Sequence, residues 1–501
     1  MATRFLLQKT GSSWSYNLKK YTSAAATATT ATCPSRKSSR TGALGSSLGT
    51  DSSMVAANDR CSIMVVDTMS GGGGGSSPRG PTMTISACLP YRPANHRWFS
   101  STTDAAGGGA GAGGAMQDEY GDMTSDGHTY HHPTPMMLEN GQVLEHVQLR
   151  YQTYGRLNEA RDNVLVICHA LTGNASLDSW WGELLGPGKA FDTDRYLVVC
   201  SNILGSCYGS TGPTSTNPTT GRPYGKEFPD ISVKDTVRLQ LHMLVNALHV
   251  RSIKSVIGGS FGGMQAMEFA VQAGSSSSSP FANDCFFRDQ DTKTTPLVRT
   301  VIPIACGAAH TAWQIAISET QRQAIYADPN WDIDGLEAKQ GLAVARQIGM
   351  ISYRTAKGYH QKFGRSMQTA SSHQDDDNTK ANYGSTAHWK VKSYLEYQGE
   401  KFLSRFDPIT YVKMTEQMDS HDVVRGRGDT LQSVLGHVQI PALILGIDSD
   451  LLYPLEEQQE LAAQLANSEL RVIHSDDGHD GFLLEQEQVA NHIKAFLSKH
   501  D

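Results

Sequence analysis

Short apolar runs alternate with amphipathic stretches along the C-terminal two thirds of the chain. The runs occupy residues 163–168, 195–200, 252–257, 297–305, 442–447 and 470–474. Continuous apolar runs of this length are typical of strands covered on both faces, and their alternation with helical segments predicts a mostly parallel sheet. Residues 148–154 alternate as a strand does, and the apolar spacing over 233–248 predicts a helix. The predicted class is α/β, with helices on both faces of the sheet.

Segments of different composition precede and interrupt this pattern. Ordered structure is expected from about Met137, so that 137–305 and 435–501 form the core. Residues 306–434 are helical in character and too long for a simple crossover, which predicts a helical lid domain. Two polar stretches, 275–295 and 367–386, are expected to be surface insertions in loops, and the second is expected to be disordered.

The N-terminal segment has the composition of an organelle transit peptide. Residues 1–50 contain seven basic side chains and no acidic one, and they lack the apolar core of a secretory signal. Residues 97–100, Arg-Trp-Phe-Ser, resemble the processing site of mitochondrial precursors, and the intervening segment is rich in Gly and Ser. We therefore expect 1–118 to be a transit peptide and disordered tail. The predicted location is mitochondrial, with the cytoplasm as the alternative.

Charge and composition limit the class of partner. The chain is 39% hydrophobic and 19% charged, as is ordinary for a globular protein, and no apolar run approaches the ~18 residues needed to cross a bilayer. Residues 1–103 carry 11 Lys/Arg against 3 Asp/Glu, so the rest of this chain of net charge −7 carries −15. An acidic body argues against nucleic acid as a partner, and no membrane partner is expected.

Cysteines and histidines offer no pattern of metal ligands. None of the eight cysteines forms a C-x-x-C pair, and three lie in or beside apolar runs: Cys168, Cys200 and Cys306. We expect buried free thiols in a reducing compartment. Three histidines at the edge of the expected tail have no acidic or Cys partner at ligand spacing: His128, His131 and His132. No metal site is predicted.

The pattern Gly-x-Ser-x-Gly occurs at 258–262, between a β-branched apolar stretch and a helix-forming one. Strand, tight turn and helix are the context of a nucleophile elbow. Gly on both sides of Ser260 permits the strained backbone of such a turn, which would present the hydroxyl at the positive end of the next helix. Ser260 is the predicted nucleophile, and a plain glycine-rich turn is the alternative.

A serine nucleophile needs a base and a carboxylate that orients the base, and in α/β-hydrolases these follow in the order Ser, acid, His. Asp450 follows the apolar run at 442–447, with Asp448 as its neighbouring rival. His479 follows a later predicted strand, in a loop marked by Gly478. Asp450 and His479 are therefore the predicted partners of Ser260.

The oxyanion of an acyl-transfer intermediate needs two backbone N–H groups. The residue after the nucleophile supplies one, which here is Phe261. A loop at the end of an early strand supplies the other. Residues 169–173 directly follow the run at 163–168, and Leu171 is the predicted donor.

These features together resemble the homoserine O-acetyltransferase family of α/β-hydrolase-fold acyltransferases, over about residues 137–500. The stretches that carry the resemblance are 163–173 (NVLVICHALTG), 179–182 (SWWG), 207–213 (CYGSTGP), 224–229 (YGKEFP), the elbow, 319–325 (ETQRQAI), 394–407 (YLEYQGEKFLSRFD), 418–422 (MDSHD) and 478–483 (GHDGFL). One departure lies at Phe261, where the family usually has Met; the wall of the pocket is expected to differ there.

The resemblance implies an α/β-hydrolase fold with the triad Ser260, Asp450 and His479. It also implies that Arg346 holds the carboxylate of an amino acid and that Asp480 binds its ammonium. A zwitterion in a dry pocket needs one fixed charge of each sign. The helical context of Arg346 by itself predicts an exposed residue.

The implied reaction is ping-pong transfer of an acetyl group to the hydroxyl of L-homoserine, in methionine biosynthesis. Acetyl-CoA is the co-substrate, no cofactor or metal is bound, and a homodimer built through the lid helices is expected. L-Serine as acceptor and succinyl as acyl group stay open, because one methylene changes selectivity by only ~1–3 kcal/mol. An esterase is the alternative of another class, and it would need neither Arg346 nor Asp480.

Overall fold

The computed structural model describes residues 127–275, 296–368 and 388–501, together with a short antiparallel pair formed by Lys9–Thr10 and Ser13–Trp14. The chain divides into two compact units, Met1–Gly107 and Gly108–Asp501. The other residues of the predicted tail lie outside the described residues, as do 276–295 and 369–387, which include most of the two predicted insertions.

Eight strands form one sheet in the second unit. They are β1 (His128–His131), β2 (Gln148–Tyr154), β3 (Val164–Cys168), β4 (Leu197–Ser201), β5 (Ile253–Gly259), β6 (Val301–Ile304), β7 (Ala442–Ile447) and β8 (Ser468–Ile473). Their order is β8-β7-β6-β5-β3-β4-β2-β1, and all neighbours are parallel except that β2 runs antiparallel to β1 and β4. The mostly parallel sheet predicted from the apolar runs is confirmed.

The helices lie between these strands and, in the case of the last two, after β8. They are α1 (Leu177–Trp180), α2 (Val233–Asn246), α3 (Phe261–Ala273), α4 (Ala312–Tyr326), α5 (Lys339–Ser352), α6 (Ala356–Phe363), α7 (Lys390–Phe402), α8 (Pro408–Asp419), α9 (Leu431–Leu435), α10 (Leu455–Gln464), α11 (Gly481–Leu484) and α12 (Gln486–Lys499). Short 3-10 turns occur at Gly225–Glu227 and Gly478–Asp480. Two further antiparallel pairs join Met136–Met137 to Val143–Leu144 and Met367–Gln368 to His388–Trp389.

Both faces of the sheet are buried, which explains the continuous apolar runs. Along β3, Val164 and Val166 belong to one hydrophobic cluster, whereas Leu165 and Ile167 belong to the other. Successive side chains of a strand point to opposite faces, so each run supplies both clusters. Helices α2 and α3 cover the first cluster, and α1 and α12 cover the second. Cys168, Cys200 and Cys306 are buried free thiols, as predicted.

The start of α2 illustrates how local sequence sets an element boundary. Ser232 is the N-cap, and its side chain accepts a hydrogen bond from the backbone N–H of Asp235. The Asp235 carboxylate accepts the backbone N–H of Ser232 in return, which forms a capping box. The predicted helix therefore begins at Val233, and it ends two residues before the predicted Leu248.

The segment between β6 and β7 contains helices α4 to α9. Helix α5 packs against both α4 and α7, and α8 contacts α4 and α5. This group of helices, 312–435, is called the lid below. Across the residues that the structure describes, no helix is both long enough and apolar enough to cross a membrane.

One boundary prediction is wrong. Ordered structure was expected from about Met137, but β1 begins at His128 and pairs with β2 at the edge of the sheet. Its sequence, His-Thr-Tyr-His, is largely exposed and has no apolar alternation. An edge strand of this kind depends on backbone pairing, which leaves no apolar pattern in the sequence.

Candidate active site

The predicted nucleophile lies on a sharp turn between strand β5 and helix α3. Strand β5 ends at Gly259 and α3 begins at Phe261, so Ser260 alone forms the connection. Its backbone has φ 58° and ψ −123°, a conformation that L-residues adopt only under strain. The Ser260 N–H donates to the carbonyl of Ile304 at 2.9 Å, which fixes the turn to β6. These are the features of a nucleophile elbow.

The glycines around Ser260 are required by close backbone approach. A Cβ at Gly262 would overlap the carbonyl oxygen of Cys168, at the end of β3. A Cβ at Gly258 would overlap the carbonyl of Gly262. The Gly-x-Ser-x-Gly spacing thus lets the first turn of α3 pack directly on the neighbouring strand.

The structure brings His479 and Asp450 together. His479 Nδ1 lies 2.7 Å from Asp450 Oδ2, and both side chains are almost fully buried. The other carboxylate oxygen of Asp450 accepts the backbone N–H groups of Leu452 (2.8 Å) and Tyr453 (2.9 Å). These bonds orient the carboxylate, and the carboxylate orients the imidazole.

The rival carboxylate points elsewhere. Asp448 Oδ2 lies 2.8 Å from Nδ1 of His474, whose side chain is exposed. Its other oxygen accepts the backbone N–H of Ser475 at 3.1 Å. The geometry therefore favours Asp450 as the partner of His479.

The remaining ring nitrogen of His479 is positioned for proton transfer. His479 Nε2 is buried and makes no hydrogen bond to any residue that the structure describes. The ring packs at centroid distances of 5.0 Å from Tyr453, 5.6 Å from Phe482 and 6.1 Å from Tyr353. Ser260 and His479 line the same pocket, so Nε2 is the atom available to a serine hydroxyl.

That pocket is small, with a cavity volume of about 30 Å³. It combines apolar walls with a few charged groups, as small-molecule sites do. The lining residues are Ala170, Leu171, Thr172, Ser260, Arg346, Tyr353, Met418, Leu452, His479, Asp480 and Phe482. Of the seven site residues predicted from the sequence, five line this pocket. A sixth, Asp450, binds the lining residue His479.

The seventh predicted site residue is Phe261, whose backbone N–H and side chain lie in different surroundings. Neither the Phe261 N–H nor the Leu171 N–H donates a hydrogen bond within the described part of the chain. Both are thus available to an oxyanion. The Phe261 side chain is fully buried in the core and does not line the pocket. Its departure from Met therefore affects core packing, and the expectation of a changed pocket wall is wrong.

Arg346 is buried, contrary to what its helical context predicts. It lies on α5 and is only 2% exposed, because α4 and α7 pack against this helix. Its guanidinium lies over the ring of Phe402, 5.1 Å from the centroid. A buried guanidinium at the wall of a pocket is suited to a planar anion such as a carboxylate.

Asp480 is also buried and lines the pocket, but it is already in an ion pair. Arg354 Nε lies 2.6 Å from Asp480 Oδ2, and Arg354 Nη1 donates to Asp477 at 2.8 Å. The Asp480 N–H donates to the carbonyl of Tyr353 at 3.2 Å. Sequence reasoning missed Tyr353 and Arg354. For Tyr353 the available signal was spacing, since it follows Arg346 by two helical turns and shares its face.

A buried polar network lies behind His479. The hydroxyl of Tyr453 is 3.0 Å from Nδ1 of His310, and His310 Nε2 is 3.6 Å from Asp419 Oδ1. Arg322 Nη2 donates to the other oxygen of Asp419 at 2.7 Å. Burial, with smaller effects of His421 and Arg322, lowers the pKa of His310 to about 3, so its imidazole is neutral.

Comparison with known proteins agrees with this geometry. The family model described as alpha/beta hydrolase fold matches residues 163–486. The chain is similar to the homoserine O-acetyltransferase of Trichormus variabilis, with 44% identity over 371 residues that cover 73% of this chain and 92% of the relative. The homoserine O-acetyltransferase of Nostoc punctiforme is 45% identical over 364 residues, covering 71% and 92%.

A solved structure shows the same fold. The crystal structure of homoserine O-acetyltransferase from Bacillus anthracis superimposes with a TM-score of 0.63 at 22% identity, covering 74% of this chain and 97% of that one. The sheet order, the elbow and the family match place the chain among proteins of the α/β-hydrolase fold. Within this class, the chain belongs to the homoserine O-acetyltransferase family.

Proposed function

We propose that the protein transfers an acetyl group from acetyl-CoA to the hydroxyl of L-homoserine through an acyl-Ser260 intermediate. The observation that carries the proposal is one pocket that contains Ser260 and His479 together with the buried charges of Arg346 and Asp480. An esterase needs only the first two residues. The product would be O-acetylhomoserine, a precursor of methionine, and the names of the relatives support this assignment.

The first half-reaction acylates the enzyme. His479 Nε2 takes the proton of the Ser260 hydroxyl, and Oγ forms a bond to the thioester carbon of acetyl-CoA. The N–H groups of Leu171 and Phe261 stabilise the tetrahedral oxyanion. The C–S bond then breaks, and CoA leaves as a thiol with the proton returned by His479. The Asp450 carboxylate stabilises the imidazolium while it holds the proton.

The second half-reaction repeats these steps with the acceptor. The homoserine hydroxyl loses its proton to His479, and its oxygen attacks the acyl carbon. Ser260 Oγ leaves with the proton from His479, which restores the free enzyme. All proton transfers are completed by residues of the chain, so no metal or bound cofactor is required, and acetyl-CoA acts as a co-substrate. Transfer outpaces hydrolysis when the pocket excludes water and orients the acceptor.

Opposite charges in the pocket would hold the acceptor by its two ends. The guanidinium of Arg346 is suited to bidentate contact with the α-carboxylate. Asp480 would bind the α-ammonium. Its ion pair with Arg354 is compatible with that role, because a carboxylate has two oxygens and about four acceptor positions.

A thiol-release assay tests the proposal. Purified protein is incubated with acetyl-CoA or succinyl-CoA, and homoserine or serine is added in separate reactions. Thiol release that depends on homoserine is the expected result, and Ser260→Ala is expected to form no acetyl-enzyme by intact mass. Release that no amino acid accelerates would indicate an esterase. Faster release with serine or with succinyl-CoA would overturn the choice of acceptor or of acyl group.

We also propose a homodimer built through the lid. Large apolar side chains on α5 and α7 are about half exposed, namely Val344 (45%), Ile351 (55%) and Tyr397 (49%). Exposed apolar side chains on two packed helices are consistent with an interface between subunits. Sedimentation of the wild type and of Ile351→Glu would test this: a monomeric wild type contradicts it.

We further propose that the N-terminal segment directs the chain to mitochondria. The basic, Ser/Thr/Ala-rich composition of residues 1–50 supports this proposal. N-terminal sequencing of the protein from isolated mitochondria is expected to find a start near Ser100. Recovery of the full chain from the cytoplasm would contradict it.

A further inference from the structure

An arginine of the lid binds the loop that carries the predicted oxyanion donor. Arg405 follows helix α7, and its Nη1 donates to the carbonyl of Thr172 at 2.7 Å. Thr172 is the residue after Leu171. A charged donor to a carbonyl forms one of the stronger hydrogen bonds in proteins, so this contact holds the loop firmly.

The 170–173 loop is a tight turn, so the Arg405–Thr172 bond affects the position of the Leu171 N–H. The N–H of Gly173 donates to the carbonyl of Ala170 at 3.0 Å, which closes a turn with Leu171 and Thr172 as its central residues. The Leu171 N–H belongs to the first peptide group of this turn, and the Thr172 carbonyl belongs to the third. Fixing the carbonyl therefore restricts rotation of the turn, and with it the direction of the N–H.

The guanidinium is itself held in place. Arg405 Nη1 also donates to the hydroxyl of Tyr208 at 2.7 Å, and the side chain of Tyr208 is buried. The guanidinium lies over the ring of Phe402, 4.9 Å from the centroid. The same ring lies under the guanidinium of Arg346 at 5.1 Å. Phe402 thus contacts both the predicted carboxylate-binding arginine and the arginine that holds the oxyanion loop.

We infer that Arg405 is a positioning residue for acyl transfer: it holds the 170–173 turn so that the Leu171 N–H points at the developing oxyanion. Because Arg405 belongs to the lid and Thr172 to the sheet domain, the seating of the lid sets the geometry of the oxyanion site. The inference rests on the proposed acyl-Ser260 chemistry. It does not depend on which amino acid accepts the acyl group.

The test is the rate at which p-nitrophenyl acetate acylates Ser260, followed as the first turnover of nitrophenol release. Arg405→Met is expected to slow this step by about 10- to 100-fold, as a misplaced oxyanion donor does, while KM for the ester changes by less than about threefold. Millimolar guanidinium is expected to restore part of the rate to Arg405→Ala and to leave the wild type unchanged. A role in folding alone would not give this rescue.

Arg365→Met is the matched control, because Arg365 is an exposed lid arginine whose guanidinium lies over Trp389 at 4.9 Å. It is expected to acylate at the wild-type rate. A folded Arg405→Met that also acylates at the wild-type rate would overturn the inference. If that variant does not fold, Arg405→Gln decides: its shorter, neutral amide lacks the charged donor to the Thr172 carbonyl, so a wild-type rate in it would equally overturn the inference.

The two proposals fail in different ways. Acylation by the nitrophenyl ester requires no amino acid, so a slowed Arg405→Met supports the positioning role even if homoserine fails to accelerate thiol release. Conversely, homoserine-dependent release with an unaffected Arg405→Met upholds the proposed function and overturns the positioning role.

Discussion

Arg354 Nε lies 2.6 Å from Oδ2 of Asp480, which joins the end of helix α5 to the residue next to His479. The side chains are 11% and 5% exposed, so the ion pair is largely shielded from water. The same arginine donates to Asp477, two residues before His479. One lid side chain thus fixes both ends of the segment that carries the predicted catalytic base.

Replacing Arg354 is therefore expected to destabilise the protein. Arg354→Gln leaves the buried Asp480 carboxylate without its counter-charge, which costs about 3 kcal/mol in the free energy of unfolding. Asp477→Asn is the control, because the Asp477 side chain is 39% exposed. Its ion pair with Arg354 should contribute less than about 1 kcal/mol to the free energy of unfolding. Urea unfolding of both variants checks the prediction, and equal losses would contradict it.

The choice between two neighbouring carboxylates predicts a large difference in activity. Asp450→Asn removes the charge that stabilises the His479 imidazolium and is expected to lower kcat by about 10⁴-fold. Asp448→Asn affects a pair with the exposed His474, and its effect on kcat should be within about twofold. Steady-state thiol release from both variants is the measurement. A severe defect in Asp448→Asn with an active Asp450→Asn would reverse the assignment.

Arg346 is expected to act on the acceptor and not on the donor. Arg346→Met removes a charge-assisted contact of about 3 kcal/mol, so kcat/KM for homoserine should fall by about 100-fold. Acylation by acetyl-CoA should change little, since that half-reaction does not use the amino acid. Arg346→Lys should lie between wild type and Met, because an ammonium lacks the bidentate fork. An equal loss in acylation would show that Arg346 supports the pocket as a whole.

The buried neutral imidazole of His310 predicts an acid-sensitive stability. Its pKa is lowered to about 3 in the folded protein from a reference value of 6.5, mainly by burial. Between these values the unfolded chain binds a proton that the folded chain does not, so stability is full above pH 6.5 and falls as the pH drops toward 3. At about 1.4 kcal/mol per pH unit, the loss approaches ~5 kcal/mol.

His310→Asn removes this titration and should give a shallower loss of unfolding free energy over the same pH range. It should be less stable than the wild type at pH 8, because it lacks the bond to Tyr453. His360→Asn, on an exposed face of α6, is the control. Parallel pH profiles for the wild type and His310→Asn would contradict the prediction.

The sequence by itself determined the local features. The Gly-x-Ser-x-Gly spacing defines an elbow because a Cβ at Gly258 or Gly262 would overlap backbone, whatever lies further away. The apolar runs predicted six of the eight strands of the sheet, because burial on both faces favours apolar residues along the central strands β3, β4, β6 and β7. β2 was recognised by its alternation. The chain order of nucleophile, acid and base then followed from which strand ends carry suitable side chains.

Only the tertiary structure decided the relationships between distant segments. Asp448 and Asp450 follow the same strand, and the position of His479 distinguishes them. Arg346 is buried because other lid helices cover its side of α5, which its own helical pattern does not encode. Arg354 and Arg405 contact loops far away in the chain, so no local spacing reveals them. The local sequence pattern indicates which positions of an element are buried. Which distant residue each buried side chain contacts depends on how the elements pack in three dimensions.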